Sequence, residues 1–521
     1  MKSLTFSDQR RRRPALLLVL AWTALFHAVS PAHSVETAEA PFNVLFIMAD
    51  DLNCNIGPYG HPLVQTPHLD KLAHEGMTFR NAFTNFPVCG QSRSSFMTGL
   101  YPEQNGVTEL RRLFRDHVPD AVTMPQHFRA NGYTAIRVGK MYHYDNPKGV
   151  GTNSHDDALS WDVRVNPRGR DKDEEDKIFS VTPGSFGASL SWLAADGEDE
   201  EQTDGKIATE SIKALQHLAT TQQPFFLGVG FYKPHTPFVA PKKYFELYDP
   251  KDIQVPREPA GYLDTLPEPA AKSIRLRQRE IDLPSETIRQ AIHAYYATIS
   301  FMDAQVGRVL HALDELGLRE NTIVLFSSDH GYHMGEHGYF QKKTLFENSD
   351  QVPLIISAPG MKSSGQQSER IVEMIDFYRT LSELAGVANV PAYIQGQSFA
   401  DSLHDVRLSG RAHAITQINN GYTLRTDRYR FTRWTNEVQH NLELYDRLND
   451  PAEMVNLARD PNYSDVRTIL SGLLDQRIAE VSTPVTGLKF IPPNPKSKGY
   501  SLTEMLERDP PSLALETFHV P

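Results

Sequence analysis

Acidic side chains follow two apolar runs of the sequence at the points where those runs end. Asp50 and Asp51 come directly after the apolar run 43–48, and Asp329 and His330 follow a second run with two serines between. Three carboxylates gathered at one point would repel one another, so a cation is their natural partner. Oxygen-rich ligation favours Ca²⁺ or Mg²⁺ over zinc. The pattern predicts a divalent-cation site, unless these acids only cap the helices that follow.

Cys89 lies where the apolar spacing predicts that a helix begins just after it. A helix N-terminus presents free N–H groups and a partial positive charge, which suit an anion or a thiolate. Arg93, one helical turn further along, adds a planar cation. The chain has two cysteines, and a disulfide between Cys54 and Cys89 is the alternative interpretation.

Basic residues form three further clusters at or beyond the ends of predicted strands. These clusters are Lys140 with His143, Lys233 with His235, and Lys342. A single lysine or histidine after a strand is usually structural. Five polar clusters at strand ends together indicate a site that binds an anion and transfers protons.

The elements that must position these residues alternate between helix and strand. Strands are predicted at 43–48, 133–138, 225–231, 322–326 and 353–357, and helices from 66 and at 124–130, 207–218, 288–316 and 377–385. Such alternation is typical of an α/β fold, with a large, mostly parallel sheet covered by helices on both faces. The carboxyl ends of parallel strands share one edge, where ligands bind, so the polar clusters are expected to meet there.

The domain organisation follows from changes of pattern along the chain. Residues 35–404 are expected to form the catalytic domain, and 405–521 a smaller α+β subdomain with an extended tail. The segment 250–284, rich in proline and charge, is predicted to be a surface loop.

The first 34 residues are expected to be a signal peptide. Four consecutive arginines precede the apolar run 15–26, and a small-residue pattern follows it, as in secretory signals. The run is too short to span a bilayer, so no membrane span is expected in the mature chain. The protein is therefore expected to be secreted or periplasmic.

The composition excludes several classes of protein. The chain has 521 residues, 40% of them hydrophobic and 22% charged, which is ordinary for a globular protein. A net charge of −11 provides no basic field for nucleic acid, which is not expected as a partner. Two cysteines exclude a disulfide-dense scaffold and a multi-cysteine metal site.

The motifs together resemble the sulfatase family of the alkaline phosphatase superfamily. The similarity covers most of residues 43–460 and includes Asn43–Asp51, Thr66–Asp70, the Cys89 segment, Met302–Asp303, Ser328–Gly331 and Leu444–Asp446. Within the family, the segments Lys140–His143, Lys233–His235 and Gly335–Gly338 ahead of Lys342 look most like those of iduronate-2-sulfatases. The resemblance implies an alkaline-phosphatase-like fold.

The resemblance also implies a cofactor and a modified residue. Cys89 would be oxidised to Cα-formylglycine by formylglycine-generating machinery, and the hydrate of that aldehyde would be the nucleophile that attacks sulfur. One Ca²⁺ would be held, together with residue 89, by Asp50, Asp51, Asp329 and His330. At Gln91 the sequence departs from the family signature, which has proline or alanine there.

The remaining site residues receive their roles from the same resemblance. Arg93 would steady the hydrate, and Lys140 and Lys342 would neutralise the sulfate oxygens. His143 would assist the chemistry of the hydrate, and His235 would protonate the leaving alcohol.

A sulfated carbohydrate is the expected substrate, with the 2-O-sulfate of iduronate as the specific expectation. Arg111, Arg112 and Arg115 could bind a uronate carboxylate, or could form a solvated surface. Two alternatives stay open. One is a phosphodiesterase or phosphonate hydrolase of the same superfamily, and the other is a calcium-stabilised glycan-binding protein with an unmodified Cys89.

Overall fold

The computed structural model describes residues 41–508, except 276–279, 281–282, 420, 435–440, 495 and 498. The predicted signal peptide and the end of the tail lie outside the described residues. The strands in the described part are β1 Asn43–Asp50, β2 Met77–Phe83, β3 Thr134–Gly139, β4 Val163–Val165, β5 Phe179–Ser180, β6 Ser191–Ala195, β7 Phe225–Pro234, β8 Phe238–Pro241, β9 Thr322–Ser328, β10 Leu354–Ser357, β11 Gln366–Glu373, β12 His413–Ile418, β13 Gly421–Thr426, β14 Tyr429–Trp434 and β15 Leu442–Asp446.

Eight of these strands form the main sheet, in the order β11-β2-β10-β9-β1-β7-β3-β4. Every pair of neighbours in this sheet is parallel except the two that involve β10, which is antiparallel to both β2 and β9. Strands β1, β7 and β9 are buried along their whole length, as continuously apolar runs predict. The predicted α/β fold with a large, mostly parallel sheet is confirmed.

The register of the central strands brings their carboxyl ends to one edge. Asp50 is level with Pro234 of β7, and Ala49 is level with Ser328 of β9. On the far side of β7, Gly139 of β3 is level with Gly230. The polar residues that follow β1, β3, β7 and β9 therefore begin at the same edge of the sheet.

The helices predicted from 66 and at 124–130, 207–218, 288–316 and 377–385 are all present. The helices with seven or more residues in the described part are Pro67–Glu75, Cys89–Thr98, Met124–Ala130, Thr203–Ala219, Glu268–Arg275, Ser285–Glu315, Asp376–Leu384, Ser464–Ser482 and Leu502–Arg508. None of the helices in the described residues combines the length and apolar character that a membrane crossing requires.

The segment 250–284 is not the solvated loop that its composition predicts. Its helix Glu268–Arg275 buries Ala270, Ala271 and Ile274, which belong to an apolar cluster with Phe346 and residues of the C-terminal sheet. These three residues lie at positions i, i+1 and i+4, so they form an apolar stripe on one side of the helix. The expectation was wrong because the prolines and charges lie outside that stripe.

The C-terminal strands β12 to β15 form a separate antiparallel sheet. The helix Ser464–Ser482 contributes Leu470 and Leu474 to an apolar cluster that also contains Phe431 and Leu444 of this sheet. The predicted smaller C-terminal α+β subdomain is therefore confirmed, and its first strand begins at His413. From residue 41 onward the chain forms one compact unit.

Candidate active site

The acidic residues predicted to form a cation site do lie together at the carboxyl edge of the sheet. Asp50 ends β1 and Asp51 follows it, while Asp329 and His330 follow β9. All four side chains are buried. Ligand atoms of Asp50, Asp329, His330 and Cys89 lie within 4.8 Å of one another, a group that could hold a metal ion.

Cys89 is the first residue of the helix Cys89–Thr98, and its thiol lies inside this acidic cluster. Its Sγ is 3.4 Å from Asp50 Oδ1 and 3.2 Å from His330 Nε2. Burial lowers the pKa of His330, but Asp329 and Cys89 more than reverse this and raise it to about 9. The Cys54–Cys89 disulfide is not formed, since both cysteines are free thiols.

The backbone of Asp51 has a strained conformation that contacts within the site hold in place. Its φ of 64° lies in the left-handed region, which is rare outside glycine. The Asp51 N–H donates to Asp329 Oδ1 at 3.3 Å, and the hydroxyl of Tyr295 donates to the Asp51 carbonyl at 2.8 Å. Its Oδ2 is buried without a hydrogen-bond partner. A buried carboxylate oxygen without a hydrogen-bond partner, beside other acids, is suited to binding a cation.

Two buried lysines contact one acid each. Lys140 Nζ is hydrogen-bonded to Asp50 and Lys342 Nζ to Asp51. Burial would raise the pKa of Asp50, but Lys140, with His235, Arg93 and Lys342, holds it well below its usual value. The pair of lysines thus gives the site the cations that an anionic substrate requires.

Arg93 is hydrogen-bonded to residues at the ends of three strands, β1, β3 and β9. Its Nε donates to Asp329 Oδ2 at 2.9 Å, and its two terminal nitrogens donate to the carbonyls of Lys140 and Ala49. The guanidinium is fully buried. In this geometry Arg93 fixes the position of the acidic cluster relative to the Cys89 helix.

His235 faces the cluster from the loop after β7. Its Nε2 is 3.7 Å from Asp51 Oδ2, and its Nδ1 is 2.6 Å from the carbonyl of Thr236. Nδ1 therefore faces the Thr236 carbonyl, and Nε2 is the ring nitrogen directed at the cluster. Burial, reinforced by Lys342, lowers the pKa of His235 well below its usual value. The His235 side chain also groups with Asp50, Asp51 and Cys89 within ligand distance, a contact that sequence reasoning did not assign to it.

His143 lies on the cleft wall beside the cluster, and two neighbours that sequence reasoning missed hold the histidines there. His143 Nε2 is 3.2 Å from Asp145 Oδ1, and the amide of Asn146 is 3.2 Å from His235 Nδ1. Asp145 and Asn146 stand in a loop without periodicity, so only their proximity to His143 could have suggested them.

A cleft of about 520 Å³ opens above these residues. Its lining includes Cys89, His143, His235, Lys342 and Arg111. Of the three arginines considered for substrate binding, Arg111 alone lines this cleft. Arg115 instead pairs with Asp157 through two hydrogen bonds of 2.8 and 2.9 Å, which is a structural role. The cleft size suits a sugar-sized ligand.

The fold and site define a hydrolase of the alkaline-phosphatase-like class, and the family comparisons agree. A family model described as Sulfatase matches residues 42–387. A second, described as N-sulphoglucosamine sulphohydrolase, C-terminal, matches residues 335–480. The chain belongs to the sulfatase family and is a sulfuric ester hydrolase.

Individual relatives share most of their length with this chain. Human iduronate 2-sulfatase is 31% identical over 549 aligned residues, which cover 88% of this chain and 99% of the relative. A sulfatase of Formosa agariphila is 32% identical, and the alignment covers 83% of this chain and 86% of that relative. The phosphonate monoester hydrolase of Agrobacterium radiobacter has the same fold, with a TM-score of 0.71 and 24% identity over 84% of this chain and 96% of that one.

Proposed function

We propose that this sulfatase hydrolyses the 2-O-sulfate of an iduronate or related uronate sugar, with Ca²⁺ and a formylglycine derived from Cys89. The supporting observation is the set of three buried carboxylates, two buried lysines and Cys89 at the base of one cleft. Similarity to human iduronate 2-sulfatase over 88% of the chain supports the substrate.

The donor set fits a calcium ion. Asp50, Asp51, Asp329 and His330 would hold it, with the side chain of residue 89 completing the site. Carboxylate oxygens dominate this set, and one of them, Asp51 Oδ2, is buried without a partner. When bound, the ion would polarise a sulfate oxygen and favour the ionised nucleophile.

The position of residue 89 suits an activated nucleophile. It lies at a helix N-terminus, buried beside Asp50 and His330, so solvent does not compete for it. The hydrated aldehyde of formylglycine would supply the attacking hydroxyl and a second hydroxyl through which sulfate is released. Arg93 would keep the helix and the acidic cluster in register, and steady the hydrate.

Lys140 and Lys342 would neutralise the sulfate oxygens. Each already lies against one carboxylate of the cluster, so both ammonium groups are within reach of an anion bound there. His143, held by Asp145, would assist proton movements at residue 89. The catalytic domain would extend over 35–404, and the signal peptide 1–34 would direct the protein to the periplasm or outside the cell. Formylglycine-generating machinery would act on Cys89 during maturation.

The mass of the peptide that carries residue 89 tests this proposal directly. Purified active protein should show an aldehyde in place of the CH₂SH group, and it should release sulfate from a 2-O-sulfated uronide. Matched sulfate and phosphate esters separate the alternatives. Faster release of phosphate would favour a phosphohydrolase, and active protein whose residue 89 is wholly a thiol would overturn the nucleophile.

His235 is proposed as the acid that protonates the leaving alcohol, and a leaving-group series tests it. In His235→Ala, kcat/KM should fall by about 100-fold for sugar sulfates, whose alcohols leave poorly, because general acid catalysis contributes roughly 10²–10⁴-fold. For 4-nitrophenyl sulfate, whose leaving group needs no proton, the fall should be within about threefold. Equal losses on both substrates would contradict the assignment of His235 as the acid.

A further inference from the structure

The outer wall of the cleft carries cations that the proposed chemistry does not use. Arg111, Lys148 and Lys343 line the cleft, and their side chains are exposed. The acids on the same wall are Asp145 and Glu175. Glu175 is engaged by Lys172, so Asp145 is the acid that faces Arg111. The rim therefore has a positive excess beyond the site that would bind the reacting sulfate.

Asp145 connects Arg111 to His143. The Arg111 guanidinium is 2.9 Å from Asp145 Oδ2, and Asp145 also contacts His143. The Arg111 side chain is 43% exposed, so exchange of Asp145 for another carboxylate costs little. A guanidinium has five N–H donors in a planar fork, and one ion pair engages only part of it.

The C-terminal tail holds the backbone from which Arg111 projects. The Tyr500 N–H donates to the Arg111 carbonyl at 3.0 Å, and Arg112 donates to the tail carbonyls of Asn494 and Ser497 at 3.4 and 3.3 Å. Arg111 itself has a φ of 74°, in the left-handed region. A backbone in this region persists only where its surroundings stabilise it.

Gly499 shows how closely the tail packs on this loop. A Cβ built at Gly499 would lie 2.4 Å from the Arg111 carbonyl oxygen, which no real side chain allows. The tail also contacts His155, whose Nε2 is 3.0 Å from the Tyr500 carbonyl and whose ring lies 5.4 Å from that of the cleft residue His143. The tail thus packs behind the loop that carries Arg111.

We infer that Arg111 binds the carboxylate of the uronate whose sulfate is cleaved, and that the tail positions it through Asn494, Ser497, Gly499 and Tyr500. This inference rests on the proposed function. The planar fork matches a carboxylate in two parallel hydrogen bonds, which lysine cannot reproduce. Lys148 and Lys343 add positive potential on the same wall.

Two matched sugars test the contact: a 2-O-sulfated iduronide, and the corresponding 2-O-sulfated idoside, in which a hydroxymethyl group replaces the carboxylate. In Arg111→Ala, kcat/KM for the iduronide should fall by about 10- to 100-fold, the usual loss for a hydrogen-bonded charge. The idoside should change by less than about threefold, since it lacks the carboxylate. Arg111→Lys should recover only part of the loss. Equal losses on both sugars, or no loss on either, would overturn the contact.

The tail's role is tested by Gly499→Ala, with Gly487→Ala as its control. Both glycines have positive φ, but a Cβ at Gly487 meets nothing within 4 Å. Gly499→Ala should raise KM for the iduronide with little change in kcat, and Gly487→Ala should change neither. Arg111→Ala combined with Gly499→Ala should be no worse than Arg111→Ala alone, because both act on one contact. Additive losses would overturn the positioning role.

The wild-type protein separates failure of this inference from failure of the proposed function. Equal kcat/KM for iduronide and idoside would overturn the Arg111 contact while the sulfatase reaction stands. Release of sulfate from an aryl ester but from neither sugar would overturn the proposed substrate class, and this inference with it.

Discussion

Asp329→Asn is expected to lower kcat/KM by at least about 10³-fold and to abolish metal binding, because metal ligands act as a unit with the nucleophile. Asp329 Oδ2 accepts from Arg93 Nε at 2.9 Å, and Oδ1 accepts from the Asp51 N–H at 3.3 Å. An asparagine keeps one of these acceptors and turns the other into a donor that faces a donor. The change also removes one negative charge from the proposed cation site.

Asp303→Asn is the matched control. Asp303 is equally buried, and its two oxygens accept the backbone N–H groups of His68 and Leu69 at 3.2 and 2.8 Å. It belongs neither to the acidic cluster nor to the cleft lining. Metal content after dialysis, measured by elemental analysis, should fall from one ion per chain to none in Asp329→Asn and stay at one in Asp303→Asn. Full metal content and full turnover in Asp329→Asn would remove Asp329 from the metal site.

The sequence was sufficient to predict the central strands and the residues that follow them. A short, continuously apolar run is typical of a strand that is buried on both faces, and this is a local property of the sequence. Strands β1, β7 and β9 therefore lie where their composition predicts. Parallel pairing then sends their ends to one edge. For this reason Asp50, Asp51, Asp329 and His330 meet, although up to 280 positions separate them in sequence.

Edge strands and contacts made by loops could not be predicted from the sequence. Strand β11 reads Gln366–Glu373 and is exposed over much of its first half, so no apolar alternation marks it. Strand β10 is antiparallel, which the helix–strand alternation does not indicate. The roles of Asp145 and Asn146 depend on where a loop folds back, and local pattern carries no information on that.

The contacts of Arg93 add a positioning role that the sequence does not show. From sequence, Arg93 is a planar cation one turn after Cys89, and the family resemblance implies that it steadies the hydrate at residue 89. In the structure its N–H groups are directed at Asp329 and at two backbone carbonyls. A motif predicts which side chains enter a site, but which of them contact substrate follows from hydrogen-bond partners that only the fold supplies.

Arg430→Met is expected to lower the midpoint of thermal unfolding by about 3–5 °C, from the roughly 3–5 kcal/mol that a broken buried ion pair costs. Arg430 of β14 is fully buried, and its guanidinium contacts Glu347, Asp350 and Glu453. It thereby joins the C-terminal sheet to the loop after Lys342. Methionine fills a similar volume, so the loss would come from the charges left behind.

Asp350 should account for most of that loss. Glu347 also contacts Arg425 and Arg447, and Glu453 also contacts Arg447, whereas Arg430 is the cation against Asp350. Adding Asp350→Asn to Arg430→Met should therefore recover part of the stability, because it removes the buried charge that has lost its partner. Arg407→Ala, which breaks a surface pair with Asp405 where the arginine is 84% exposed, should leave the midpoint unchanged. Differential scanning fluorimetry of the wild type and these three variants gives the midpoints. Equal midpoints for Arg430→Met and Arg407→Ala would show that the buried ion pairs do not stabilise the contact between the C-terminal sheet and the loop after Lys342.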